Sequence, residues 1–115
     1  MAEERFCLNV PLNEAGRVEH DGGGDYMPNV FNICLDHSEC CALYPVYFEW
    51  NKRFGILIDM YEEEEIQREH LDDALRILDQ FVNESQSSAF IEAAKKLRVA
   101  LRKALEVNMP LHLDF

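Results

Sequence analysis

The apolar residues of this chain change their spacing at Glu62, and no other feature limits its fold as strongly. Before that point they alternate or fall into short runs; after it they recur every three or four residues. Phe6, Leu8, Val10 and Leu12 alternate with Arg5, Cys7 and Asn9, the period of a strand with one buried face. Pro11 places that strand at an edge or an end. Residues 29–35 read as a second strand. Residues 44–50 and 54–61 read as a hairpin across Asn51-Lys52-Arg53, with Trp50 opposite Phe54, Phe48 opposite Ile56 and Val46 opposite Ile58. Residues 13–26, with Gly16, Gly22, Gly23 and Gly24, read as a flexible surface loop.

Beyond Glu62, Leu71, Ala74, Leu75, Leu78, Phe81 and Val82 form one stripe of a helix. Phe90, Ala94, Leu97, Leu101 and Leu105 form a second, with Ser87 or Ser88 as N-cap and Asn108 and Pro110 as the stop. Leu111, Leu113 and Phe115 then alternate with His112 and Asp114 as a closing strand. Strands, a helix pair and a last strand predict an α+β fold, with a mixed or antiparallel sheet of about four to five strands against two helices. A chain of 115 residues that is 48% apolar suffices for one domain with a core of its own.

Charge is the next constraint. Against 11 Lys and Arg stand 22 Asp and Glu, a formal balance of −11. Ten of those acids (Asp59, Glu62, Glu63, Glu64, Glu65, Glu69, Asp72, Asp73, Asp79 and Glu84) share one stretch with only Arg68 and Arg76. Lys95, Lys96, Arg98, Arg102 and Lys103 instead gather on the second helix, where solvation and pairing with nearby acids account for them. Carboxylates suit a helix N-terminus, at about 0.3–1 kcal/mol each, but capping needs only one or two. Four in succession repel one another, so a further role is expected for Glu62, Glu63, Glu64 and Glu65. A concentrated negative field speeds encounter with a cationic partner and repels nucleic acid. Tyr47 and Tyr61, with Trp50, stand near the run as candidate anchors ringed by charge.

Other chemistry is weakly signalled. Cys34, His37 and Cys40 or Cys41 are soft ligands in irregular spacing, unlike paired zinc knuckles. The cysteines read as small thiols in a reducing compartment, with Cys34 facing the core. His20-Asp-Gly-Gly-Gly-Asp25 is a turn and not a phosphate loop, since its carboxylates repel anions. No catalytic motif singles out a nucleophile, a base or a cofactor site, so binding is expected and enzymatic activity is not. The acidic start of the chain lacks a basic and apolar leader pattern, and no apolar run approaches the roughly 20 residues of a membrane span, so a cytoplasmic protein without membrane contact is expected.

In size and character over its whole length, with the acidic step Phe54-Gly-Ile-Leu-Ile-Asp-Met-Tyr-Glu-Glu-Glu-Glu-Ile leading to two helices and a last strand, the chain resembles the immunity proteins of bacterial toxin systems. That resemblance implies a protein that binds one toxin domain, often a basic nuclease, and blocks it. The surface expected to do so comprises Asp59, Tyr61, Glu62, Glu63, Glu64, Glu65, Glu69, Asp72 and Asp73, with Tyr47 and Trp50 as anchors. The alternatives are a structural or regulatory interaction module and a small metal-binding protein built on Cys34, His37 and Cys40.

Overall fold

The computed structural model describes residues 4–24 and 26–115. Residues 1–3 and Asp25, and with them the acidic start and one residue of the expected loop, lie outside the described residues.

The strands are β1 (Phe6–Pro11), β2 (Val30–Leu35), β3 (Glu63–Ile66) and β4 (Leu111–Asp114). The helices are α1 (Glu14–Gly22), α2 (His37–Ala42), α3 (Tyr44–Phe54), α4 (Leu71–Glu84) and α5 (Ser88–Val107). All strand pairs are antiparallel, in the order β2-β1-β4-β3, so the fold is α+β as the period change predicts. Phe6, Leu8, Val10, Leu35, Ile66, Leu111 and Leu113 line one face of the sheet and share a core with α3, α4 and α5. The two expected helices are α4 and α5, and Ser87 caps α5 by accepting from the Phe90 N–H. Asn108 adopts the left-handed conformation at its end, with φ 56°.

Three regions depart from the sequence reading. Residues 44–54 form α3 and not the first arm of a hairpin. Pro45 stands in the first turn, where its missing N–H costs nothing, and Gly55 closes the helix at φ 67°. Val46, Tyr47 and Trp50 therefore share a helical face and are wholly buried. Residues 56–61 run back beside the helix, held where the Ile58 N–H donates to Asn51 Oδ1 at 2.7 Å.

The expected loop contains α1. Asn13 caps it by accepting from the Gly16 N–H at 2.9 Å, and Arg17 pairs along it with Glu14 and Asp21. Gly16 passes so close to the chain that a Cβ there would stand 2.1 Å from the Asn29 carbonyl oxygen. The seat is fixed by Glu19, which accepts from the backbone and side chain of Asn29 at 2.9 and 2.7 Å.

The third departure concerns the acidic run. Glu63, Glu64 and Glu65 belong to edge strand β3, paired with Asp114, Leu113 and His112 of β4. The helix that follows starts only at Leu71. Charged side chains on an edge strand deter adventitious pairing with other strands, which explains part of the cluster without any ligand.

Candidate functional site

Strand alternation turns Cys7, Asn9, Asn32, Cys34, Glu63, Glu65, His112 and Asp114 to the face of the sheet opposite the core. Helix α1 covers part of that face. Between them runs a polar chain: Asn32 Nδ2 donates to Asn9 Oδ1 at 2.6 Å, and Asn9 Nδ2 donates to Asp114 Oδ2 at 2.6 Å. His20 of α1 reaches the same Asp114 oxygen through Nε2 at 2.6 Å. Its ring stacks on His112 with centroids 4.1 Å apart, and His112 Nδ1 lies 3.4 Å from Glu65 Oε2. Burial holds the His112 imidazole below its ordinary pKa; His20 acts in the same sense, and Glu65 and Asp114 oppose it.

Asn9, His20 and Asp114 of this network line a cleft of about 570 Å³ together with Asp21, Met27 and Glu63. Among the described residues its charged lining is carboxylate, with neither Lys nor Arg. Glu63 belongs to both the cleft and edge strand β3, so the cleft opens directly onto the acidic edge. None of this was visible as a motif, because His20 and Asp114 meet across 94 positions of sequence. The alternation of the closing strand carried the one available signal, since it already turned His112 and Asp114 to a common face.

The expected acids divide into engaged and free groups. Asp73 binds Arg53 at 3.2 Å and Arg76 at 2.9 Å, and these guanidiniums hold its carboxyl below the ordinary value. Asp59 accepts from the Tyr44 hydroxyl at 2.7 Å, and Glu64 accepts from the Leu57 N–H at 3.0 Å. Among the described residues, Glu62, Glu63, Glu69 and Asp72 have neither ion pair nor hydrogen bond through their side chains. The cations of α5 are mostly consumed internally: Lys95 by Glu92, Lys96 by Glu39, Arg98 by Asp79 and Lys103 by Glu106.

Of the expected anchors, Tyr61 alone is available. It is 69% exposed, its hydroxyl donates to Glu4, and its backbone sits at φ 64°. That left-handed conformation is costly for an aromatic residue and occurs more often at functional sites than elsewhere. Tyr47 and Trp50 are corrected to core residues. Both are 0% exposed, and the Trp50 indole N–H donates to the Ala74 carbonyl at 3.2 Å. The hairpin register had turned Tyr47 outward, whereas a helix turns it into the core beside Val46. Leu57 and Phe48 are exposed as well; the Leu57 N–H is joined to the acidic segment through Glu64, and the Phe48 ring lies 5.6 Å from that of Tyr44, which donates to Asp59.

The cysteine expectation is also corrected. Cys7 and Cys34 stand opposite each other on β1 and β2 and form a disulfide, with Cα atoms 4.0 Å apart, on the face away from the core. Cys40 is buried, its thiol pushed up to about 11 by desolvation, while Cys41 is exposed on α2 near His37. Cys34, His37 and Cys40 therefore do not converge as ligands, and no group of three His, Cys, Asp or Glu suited to a metal is found among the described residues. No helix among the described residues is long and apolar enough to cross a membrane. Comparison with known protein families, curated proteins and solved structures finds no match to this chain.

Proposed function

We propose that the chain is a binding protein that captures and neutralises a cationic protein, most concretely a toxin nuclease of the kind that immunity proteins restrain, and that it works in the cytoplasm without catalysis of its own. The observation that carries this reading is the cleft between α1 and the sheet, where Asp21, Glu63 and Asp114 gather with no lysine or arginine among its described lining residues; Asp21 shares its charge with Arg17 at 2.9 Å, whereas Glu63 has no cation partner among the described residues. A surface built only to solvate its acids has no need to gather them around a concavity. The cleft suits the ammonium or guanidinium of a partner side chain, which would find carboxylates already oriented; Asp114 in particular is held by Asn9 and His20. Glu62, Glu63, Glu69 and Asp72 extend the same field along β3 and into α4, and exposed Tyr61 and Leu57 supply area that can be desolvated. On a nuclease partner these carboxylates would stand where phosphates bind.

Exposed Phe48 and Leu57 favour a second reading, an interaction module that binds a neutral partner through apolar contact. Ionic strength separates the two. Steered capture slows several-fold between about 10 and 150 mM salt, as the screening length falls from roughly 30 to 8 Å, and apolar association does not. The decisive experiment is capture from the native host with the wild-type chain and with Asp21→Lys/Glu63→Lys, read by mass spectrometry. The reading expects a basic protein held by the wild type, released by salt and lost from the variant. Equal capture by both chains contradicts it.

A further inference from the structure

We propose that Cys7 and Cys34 form a redox-responsive pair, a cross-strand disulfide open to exchange with dithiols that switches edge strand β2 between a stapled and an unstapled state. Three observations place it. The two residues are direct register partners, so the strand pairing itself sets the two sulfurs side by side. Both point away from the core and are partly exposed, so exchange requires no unfolding. The remaining cysteines do not compete: Cys40 is buried with a raised pKa, and Cys41 lies on α2 beside His37.

The two sulfurs differ in access. Cys34 lines an open cleft of about 310 Å³ of mixed charge, with Arg5 and Lys96 beside Glu4, Asp36 and Glu39, and with Lys96 Nζ 3.4 Å from the Cys34 carbonyl oxygen. Cys7 stands on an inner strand, flanked by β2 and β4, whereas Cys34 stands on the sheet edge. Exchange therefore begins at Cys34. A thiolate of the dithiol attacks Cys34 Sγ, a new S–S bond forms, the Cys7–Cys34 bond breaks, and Cys7 leaves with the electron pair as a thiolate. The second thiol of the reductant then displaces Cys34, which gives the oxidised dithiol and two protein thiols. In the reduced form β2 keeps its backbone ladder and the Asn32–Asn9 hydrogen bond, so the sheet persists while its edge loosens. A protein resident in a reducing compartment keeps such a pair mostly open and closes it on oxidation.

The test uses the full chain with Cys41→Ser, folded and without denaturant, equilibrated in mixtures of reduced and oxidised dithiothreitol and then trapped with iodoacetamide. Mass mapping should show Cys7 and Cys34 protected together on the oxidised side and alkylated together on the reduced side. Backbone amides of β2 should exchange several-fold faster in the reduced form, and Cys7→Ser should reproduce that rate under either condition. In single variants Cys34 should alkylate faster than Cys7. Alkylation of both cysteines at the oxidised limit, resistance of the folded protein to reduction, or equal β2 exchange in the two states would each overturn the proposal.

Discussion

Helix α5 and the segment from Tyr61 to Asp72 each concentrate one sign of charge, yet the fold treats them in opposite ways. On α5, Lys95, Lys96, Arg98 and Lys103 all meet a carboxylate within 3.1 Å. On the acidic segment, Glu62, Glu63, Glu69 and Asp72 meet no cation among the described residues, and Glu63 opens into a cleft with two further carboxylates, Asp21 paired with Arg17 and Asp114 held by His20. A local charge count says little until pairing is known. The basic cluster is spent on holding α5 to α2 and α4 and on pairs within the helix, whereas the acidic cluster remains as field.

That contrast can be broken at several points. The largest effect belongs to the core beneath it: Trp50→Ala should cost about 3–5 kcal/mol of stability in chemical denaturation, as expected for a buried aromatic with a satisfied indole N–H and not for a binding anchor. Next in size, Glu62→Lys with Glu63→Lys should weaken binding of the cationic partner by about 2–5 kcal/mol in calorimetry while the melting temperature stays nearly constant. The converse change, Arg98→Ala, should leave partner binding intact and lower stability by about 0.2–1 kcal/mol, since its pair with Asp79 joins two helices at the surface. Smaller still is Lys95→Ala, whose i,i+3 pair with Glu92 is open to solvent and whose loss should fall within the error of a denaturation curve.

A pH titration sharpens the same comparison on the polar face. The His112 pKa is lowered in the folded chain, so the unfolded chain binds the extra proton first as pH falls through its value of about 6.5. The stability that His112 contributes is present above that value and is lost on acidification toward the folded pKa. His112→Gln should flatten this part of the stability profile between about pH 7 and 5.

Legibility of the fold followed the strength of local periodicity. The strand at Phe6, both long helices and the closing strand were readable because one face of each is buried, and burial imposes a period. Helix α3 was misread because its aromatic residues favour a strand; the stronger evidence was Pro45 at one end and Gly55 at the other. Helix α1 was hidden by its glycines, although Asn13 as a cap and Arg17 between Glu14 and Asp21 gave helical spacing. For β3 the carboxylates suited a helix start equally well, and only its pairing with β4 decides for a strand. The acidic surface was readable in outline, since Glu63 and Tyr61 stay at the surface. The cleft was not, because its carboxylates come from α1, β3 and β4 and meet only once the strand order is known. The Cys7–Cys34 pair depended on the same knowledge of register.

The most direct test is the affinity of the partner recovered from the native host for the wild-type chain and for Asp21→Asn/Glu63→Gln, measured by calorimetry at about 150 mM salt, where the screening length is near 8 Å. Neutralising these two cleft carboxylates should weaken binding at least tenfold, about 1.4 kcal/mol, with the thermal melt unchanged. Equal affinity of the two chains would show that the partner docks elsewhere and that the cleft is not the binding surface.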